Sequence, residues 1–364
     1  MMVVSKQHQI FFDFLRFCIG SVSEITSSLK EADWKEIYRI AQKQCLVGVL
    51  FDGIKKLPTE HVGMKKELLL QWMAESQMLE KANVRLNDAA IQVSEWFGKK
   101  GFRTCILKGQ GNALMYPNPY SRTPGDIDIW VEGGDKRVIS FVRSISPHEK
   151  ACYHHIEFPS YKGVEVEVHY RPSFLLCFWH NRKLQKYYER VKEEQFSHRV
   201  MLGEQGEIAI PTVEFNLIFQ LTHIYAHLMN EGIGLRQLLD YYYVLISDDL
   251  LLIRDRVQKE LKELGLWKFA GGIMYIMQVV FGMPASRLIV PPNEKYGRFV
   301  LNEVLEAGNF GKHDERNRFG KSKLGHNLQR MYRDMRLVRY FPAEALSEPF
   351  FRVWHFFWRL KHRR

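Results

Sequence analysis

Cysteine is scarce in this sequence. The 364 residues contain five cysteines, which are scattered along the chain and form no CxxC pair: Cys18, Cys45, Cys105, Cys152 and Cys177. A structural zinc site of the usual kind needs closely spaced cysteines, so none is expected here. Reduced thiols in a cytoplasmic protein are the expected state.

Long apolar runs are also lacking. The stretch from Ile10 to Ile19 is interrupted by Asp13 and Arg16, and no segment reaches the roughly 18 apolar residues that a transmembrane helix needs. The N-terminus lacks the basic region, apolar core and small-residue cleavage site of a signal peptide. We therefore expect a cytoplasmic protein without a transmembrane segment.

Acidic residues are outnumbered by basic ones. Lysine and arginine total 52 against 41 aspartates and glutamates, which gives a formal net charge of +11 at pH 7. Such a balance favours polyanions as partners, for example a nucleoside triphosphate, nucleic acid or an anionic membrane. The net charge alone does not choose among them.

Two of the acids form an alternating pattern. The segment Asp126-Ile127-Asp128-Ile129 predicts a strand whose two carboxylates project from one face while the isoleucines enter a core. Like charges placed side by side repel each other, and two hard oxygen ligands suit a divalent cation such as Mg²⁺. The pair therefore predicts a metal site, although a solvated edge strand would show the same alternation.

A second alternating stretch supplies a third acid. The segment from Val164 to His169 places Glu165, Glu167 and His169 on one face of a strand. If this strand pairs beside the first, three carboxylates can hold two metal ions roughly 3.5–4 Å apart, the arrangement used for phosphoryl displacement. His169 is then either a partner of a metal-bound carboxylate or a residue at the edge of the core.

Several further residues precede and follow the two strands in a fixed order. They form a Lys-Gly turn, an arginine, the Asp-Ile-Asp pair and a Glu-Val-His segment: Lys108-Gly109, Arg122, Asp126 to Asp128, and Glu167 to His169. This order resembles the bacterial uncharacterised nucleotidyltransferase group of the DNA polymerase beta-like superfamily. The resemblance implies that Asp126 and Asp128 are the metal pair and that Glu167 is the third acid, with Glu165 as the alternative. It also implies two Mg²⁺ ions, for which Mn²⁺ can substitute, and a nucleoside triphosphate as substrate, with ATP expected.

The turn after the first strand is where a triphosphate would rest. Gly109 and Gly111 would let backbone N–H groups approach a phosphate at the start of a short helix, and Lys108 would add an ammonium. Arg122 is either a phosphate clamp or an ordinary loop arginine, and the glycines could equally form a plain surface turn. Leu114 stands where the GxGxxG fingerprint needs its third glycine, so dinucleotide binding is not predicted.

A later helix carries His223 and His227 at i, i+4 spacing. Ile224 stands where a zinc protease needs a glutamate, which excludes that class of enzyme. The resembled family has a helical histidine followed by an arginine and an aspartate, matched here by His227, Arg236 and Asp240. We expect Arg236 and Asp240 to form a supporting ion pair and one of the three groups to line the cleft. Histidines buried in a helix for structural reasons are the alternative.

Two features support other functions. The turn reads Lys-Gly-Gln-Gly at residues 108–111 and lacks the serine that contacts phosphate in active members of the superfamily, which suggests a weak or inactive nucleotide-binding module. The tail from Phe350 to Arg364 is aromatic and basic, which suggests a scaffold that associates with nucleic acid or peripherally with an anionic membrane. A helix docked on the body explains the same tail, and we favour that interpretation.

The periodicity of the whole chain predicts an α+β fold. A small mixed nucleotidyltransferase-like sheet, over residues 99–211, is flanked by a helical N-terminal region (1–98) and a helical C-terminal domain (212–364). The predicted function is a nucleotidyltransferase that moves a nucleoside monophosphate from a nucleoside triphosphate to a hydroxyl of an acceptor. The acceptor, which could be a protein, a small molecule or an RNA end, is left open, as are the base and the oligomeric state.

Overall fold

Helices surround a small sheet in this chain. The computed structural model describes residues 5–25, 29–57, 63–204, 206–312, 314, 316 and 323–362. Within these residues there are a four-stranded sheet, a two-stranded ribbon and helices on both sides of them in the sequence. The predicted α+β class is confirmed.

The N-terminal region of the described chain is helical. Its helices are α1 (Lys6–Cys18), α2 (Trp34–Lys43), α3 (Val47–Ile54) and α4 (Lys66–Lys99). Ser5 and Asp33 begin the first two helices, since their side chains accept hydrogen bonds from backbone N–H groups of the first turn. Phe11, Leu15 and Cys18 recur at helical spacing and are buried, so α1 packs by one apolar face.

The central sheet has the strand order β1-β2-β4-β3. Its strands are β1 (Thr104–Ile106), β2 (Ile127–Val131), β3 (His155–Tyr161) and β4 (Val164–His169). β2 and β4 are parallel, whereas the other neighbouring strands are antiparallel. β3 and β4 form a hairpin whose turn residues, Lys162 and Gly163, have φ angles of 51° and 78°, as a tight turn requires. The two acidic strands are therefore neighbours, which a three-carboxylate cluster needs.

Short helices connect these strands. α5 (Gln110–Ala113) and the 3-10 turn Pro119–Ser121 lie between β1 and β2, and α6 (Gly134–Ile145) lies between β2 and β3. β3 begins at His155, because the N–H of Cys152 donates to the carbonyl of His155 and folds the preceding residues into a turn. Ile127 and Ile129, 2% and 0% exposed, enter the core beside α4 and α6.

The C-terminal half is again mostly helical. A ribbon of β5 (Arg199–Met201) and β6 (Glu207–Ala209) follows α7 (Phe178–Ser197), and the next helices are α8 (Val213–Asn230), α9 (Leu235–Leu245), α10 (Leu250–Glu263), α11 (Trp267–Val279) and α12 (Glu294–Ala307). The Thr212 hydroxyl accepts from the N–H of Phe215 and begins α8. β5 was not predicted from the sequence, because it is three residues long and directly follows α7.

The N-terminal and C-terminal helices share one apolar core. Gln44, which is buried, joins them through both ends of its side-chain amide. Its Nε2 donates to the carbonyl of Val304 in α12, and its Oε1 accepts from the N–H of Leu235 at the start of α9. These two hydrogen bonds hold the C-terminal end of α2 against α9 and α12.

The chain ends in two helices, α13 (Lys323–Leu337) and α14 (Pro342–Lys361). α14 docks by one face, where Phe351 stacks on Phe174 with ring centroids 5.1 Å apart. Its opposite face is exposed and apolar, with Phe350 79% exposed beside Val353 and Phe357. The last two residues of the predicted aromatic-basic tail, 363 and 364, lie outside the described residues.

None of the described helices combines the length and the apolarity that crossing a bilayer demands.

Candidate functional site

Two aspartates stand at the beginning of β2. Asp126 immediately precedes the strand, and Asp128 is its second residue. Because Ile127 and Ile129 point into the core, the two carboxylates project from the opposite side of the strand. Asp128 is buried there, and Asp126 is half-buried.

β4 brings a third acid to the same place. The parallel register pairs Glu167 directly with Asp128, so their side chains leave the sheet on the same side. Carboxylate oxygens of Asp126, Asp128 and Glu167 all lie within 4.8 Å of one another. Glu165, the alternative third acid, is exposed and is not part of this group. The structure thus brings together the three acids that the family resemblance named.

Two basic groups compensate the buried Asp128. The Lys108 Nζ lies 2.8 Å from Asp128 Oδ1, and His169 Nε2 lies 2.9 Å from the same oxygen. Burial raises the pKa of Asp128, but Lys108 and His169 outweigh this effect and hold the pKa well below its ordinary value. Burial likewise lowers the pKa of His169, but hydrogen bonds to Asp128 and Glu167 raise it to about 9. Asp128 therefore stays ionised and paired.

Asp126 is compensated much less. The negative charge of Asp128, burial and the charge of Glu167 together raise the pKa of Asp126 to about 6, although Lys108 opposes them. A divalent cation bound between these carboxylates would remove their mutual repulsion, and this effect is largest where the cluster is partly buried. The donor set, three hard carboxylate oxygens, also fits the preference of Mg²⁺ and Mn²⁺. These residues are therefore suited to hold such ions.

The Lys-Gly turn lies beside the acids. Gly109 has φ 57° and ψ −107°, a backbone conformation that strongly favours glycine. The N–H of Gly111 donates to the carbonyl of Lys108 at 3.2 Å, so this group is used within the turn. A Cβ on Gly111 would lie 3.0 Å from the Ile210 side chain, so the absence of a side chain at this position serves packing.

Arg122 forms a buried ion pair with Asp240. Its Nε and Nη2 donate to Oδ1 and Oδ2 of Asp240, each at 2.8 Å, and the Tyr116 hydroxyl donates to Oδ1 at 2.7 Å. Arg122 is only 4% exposed. The predicted ion pair between Arg236 and Asp240 is therefore wrong. A helical arginine four residues before an aspartate is the less favourable orientation, and the guanidinium of Arg122 offers a bidentate fit instead.

Arg236 lines a cleft beside the acidic residues, and we call this cavity the cleft from here on. Its Nη1 donates to the carbonyl of Thr123 at 3.0 Å, and its Nε has no hydrogen-bond partner among the described residues. The guanidinium carbon lies 5.8 Å from the ring centroid of Phe310. Burial and the charge of Arg122 lower the pKa of Arg236, so a bound anion would stabilise the charged form of this guanidinium. The cleft wall also includes Lys108 and the Asp126/Asp128 pair.

The two helical histidines have different surroundings. His223 lines the cleft, and its Nε2 lies 3.3 Å from Lys108 Nζ. His227 is not among the lining residues and lies 3.5 Å from Glu231 instead. Of the three residues that the resemblance named, Arg236 and Asp240 line the cleft and His227 does not. The i, i+4 spacing identified both residues but could not show which one faces the cleft.

Some cleft residues had no signal in the sequence. Gln220 Nε2 donates to Asn112 Oδ1 at 2.9 Å, and both residues line the cleft with Gln237. Amides of this kind are common in any helix, and only the tertiary fold brings these three together.

Residues 30–282 match a family model described as "Uncharacterised nucleotidyltransferase", and the three clustered acids lie within that range. A crystal structure of an antigenic nucleotidyltransferase-like protein from Paracoccidioides brasiliensis is similar at 15% sequence identity, with a TM-score of 0.28, over 50% of this chain and 92% of that chain. Among curated proteins, none matches this chain.

Proposed function

Since this chain belongs to the uncharacterised nucleotidyltransferase family, we propose that it transfers a nucleoside monophosphate from a nucleoside triphosphate to a hydroxyl of an acceptor. The observation that carries this proposal is the convergence of Asp126, Asp128 and Glu167 from two parallel strands, with oxygens within 4.8 Å of one another. The negative charge of Asp126 is poorly compensated by its neighbours, as is expected of a carboxylate that binds a cation.

The three carboxylates are the residues that would hold two divalent ions, with Mg²⁺ expected and Mn²⁺ as a substitute. Bound there, the ions would neutralise phosphate oxygens and make the acceptor hydroxyl more acidic. The pairing of Glu167 with Asp128 on neighbouring strands fixes the spacing of these ligands through the backbone. The geometry of the site therefore depends little on flexible loops.

Lys108 and Arg236 are the residues that we propose for binding the triphosphate. Both line the cleft with Asp126 and Asp128, and the Nε of Arg236 has no hydrogen-bond partner among the described residues. Arg122, which the sequence left open between a phosphate clamp and an ordinary loop arginine, also lines the cleft, but its charge is paired with Asp240. Lys108 contacts Asp128 and would turn toward phosphate once that carboxylate is otherwise compensated.

The transfer step needs an acceptor hydroxyl held in line with the α-phosphorus. A carboxylate of the cluster accepts the hydroxyl proton, the new oxygen–phosphorus bond forms, and the bond to the leaving pyrophosphate breaks. Lys108 and Arg236 stabilise the negative charge that develops on the leaving group. ATP is the expected donor, and the acceptor is a protein, a small molecule or an RNA end.

The test is label transfer from each α-³²P nucleoside triphosphate, with Mg²⁺ or Mn²⁺, to fractions of a cell lysate. Wild-type protein should label one fraction, and Asp126→Asn, Asp128→Asn and Glu167→Gln should abolish labelling. Glu165→Gln is the matched control, because this residue is on the same strand and face but is exposed, so it should retain labelling. Labelling that survives Glu167→Gln would refute the proposed centre.

A nucleotide-binding module without turnover is the second candidate. The Lys-Gly-Gln-Gly turn has no serine, and the N–H of Gly111 is already used within the turn, so phosphate contacts there are reduced. Calorimetric binding of ATP with Mg²⁺, together with no label transfer to any fraction, would favour this candidate.

A further inference from the structure

Two histidines stand opposite each other at the edge of the sheet. In the antiparallel pair of β3 and β4, His155 is directly opposite His169, and such residues project to the same face with Cβ atoms about 4.5–5.5 Å apart. Glu167 is two residues before His169 on β4, so it shares that face. The backbone register alone places two imidazoles and a carboxylate on one patch.

The ligand atoms of these residues are already close to coordination distances. His155 Nδ1 and His169 Nε2 each lie 3.4 Å from Glu167 Oε2, and the three atoms lie within 4.8 Å of one another. An ion with tetrahedral ligands at roughly 2.0–2.1 Å separates neighbouring ligand atoms by roughly 3.3–3.4 Å. Two of the three separations thus match a tetrahedral site.

The surroundings favour the same kind of ion. His154 Nε2 lies 3.0 Å from His155 Nδ1, and Cys152 Sγ lies 3.5 Å from His154 Nδ1. Imidazole and thiol groups select borderline and soft metal ions, whereas Mg²⁺ prefers oxygen alone. The side chains of His155 and Glu167 are 18% and 33% exposed, which leaves a path for an ion to enter.

We propose that His155, Glu167 and His169 bind a borderline divalent ion of the class of Zn²⁺ and Co²⁺, with solvent completing the coordination. This site goes beyond the proposed transfer reaction, since its imidazoles are distinct from the Asp126/Asp128 pair and only Glu167 is shared. The ion replaces the proton on His169 Nε2, which is released to solvent. The hydrogen bond from this atom to Asp128 Oδ1 (2.9 Å) is thereby lost, and the positive charge of the ion compensates the Asp128 carboxylate instead. Glu167 then bridges the two sites.

Titration of the full-length protein with Co²⁺ tests this proposal, because imidazole-bound Co²⁺ gives a visible ligand-field spectrum. Wild-type protein should bind one such ion per chain, Zn²⁺ should displace it, and excess Mg²⁺ should not. His155→Gln and His155→Asn should weaken binding at least about 100-fold, which is the upper range for loss of an outer-shell partner and a minimum for loss of a ligand. His148→Gln, at an exposed position, is the matched control and should bind as the wild type does.

Asp126→Asn separates this site from the proposed catalytic centre. The variant should lose label transfer but keep the Co²⁺ spectrum, so the two proposals can fail independently. The proposal is overturned if Mg²⁺ competes with Co²⁺ on equal terms in the wild type, if both His155 variants keep the wild-type affinity, or if Asp126→Asn removes the spectrum. Circular dichroism of each variant confirms that it is folded.

Discussion

Replacing Asp126 by asparagine should stabilise the metal-free protein. The negative charge of Asp128, together with burial and Glu167, raises the pKa of Asp126 to about 6 from its ordinary value of 3.8. This difference in pKa means that the ionised Asp126 carboxylate lowers the free energy of unfolding by at most about 3 kcal/mol. Asparagine has similar size and no charge, so it removes that cost while it also removes a proposed metal ligand.

The pH dependence gives the sign of the effect. The folded protein holds the Asp126 proton more tightly than the unfolded chain does, so between about pH 4 and pH 6 it binds more protons. The stability of the wild type therefore falls as pH rises through this window, and the full cost applies above about pH 7. The advantage of the asparagine variant should be largest near pH 8 and should vanish near pH 4.

Thermal and urea unfolding in the presence of a chelator measure this difference. An unfolding entropy of about 2.1 cal/mol/K per residue, applied to a chain of 364 residues, converts about 3 kcal/mol into a rise in Tm of about 4 °C if the chain unfolds as one unit. The matched control is Asp128→Asn, two residues away on the same strand. It should destabilise the protein by about 3–5 kcal/mol, because Lys108 and His169 lose the buried carboxylate that pairs with them.

Opposite signs for the two aspartates are the essential result. If Asp126→Asn is no more stable than the wild type near pH 8, the repulsion that we infer at this position is absent. If both variants shift Tm in the same direction, the unequal compensation of the two carboxylates is wrong.

Three further predictions concern the cleft. Mg²⁺ or Mn²⁺ at about 100 times its Kd should stabilise the wild type by about 2.7 kcal/mol in thermal unfolding and leave Asp128→Asn unchanged; an equal shift in both would place the ion elsewhere. Asp240→Asn should destabilise the protein by about 3–5 kcal/mol in urea unfolding, because it leaves the buried Arg122 guanidinium without its carboxylate, and an effect below about 1 kcal/mol would contradict this. Arg236→Gln should weaken calorimetric binding of ATP by at least about tenfold while the protein stays folded, whereas unchanged affinity would remove Arg236 from the proposed triphosphate site.

The carboxylate cluster could be predicted because its pattern is local. Alternation with a period of two places Asp126 and Asp128 on one face whatever the rest of the fold does, and the same holds for Glu167 and His169. The missing step was the pairing of the two strands, which β2 and β4 make in parallel. The α+β class followed from the same periodicities.

The ion pairs of the cleft could not be predicted in this way. Arg122 and Asp240 are 118 residues apart in the sequence, and nothing in the neighbourhood of either residue points to the other. Spacing on one helix suggested Arg236 as the partner of Asp240, but a buried bidentate contact from a distant loop took its place. Likewise, only the register of the hairpin shows that His155 meets His169.

The buried amide of Gln44 has a consequence for how the cleft is assembled during synthesis. This side chain holds the first N–H of α9 and a carbonyl of α12 that is 260 residues further along the chain. A nascent chain that has completed the sheet therefore carries its acidic cluster before the helix with Arg236 can settle against it. Until Val304 has been synthesised, the Nε2 of Gln44 lacks the carbonyl that it binds in the folded protein, so the contact between the N-terminal helices and α12 forms only after the sheet and its acidic cluster are present in the chain.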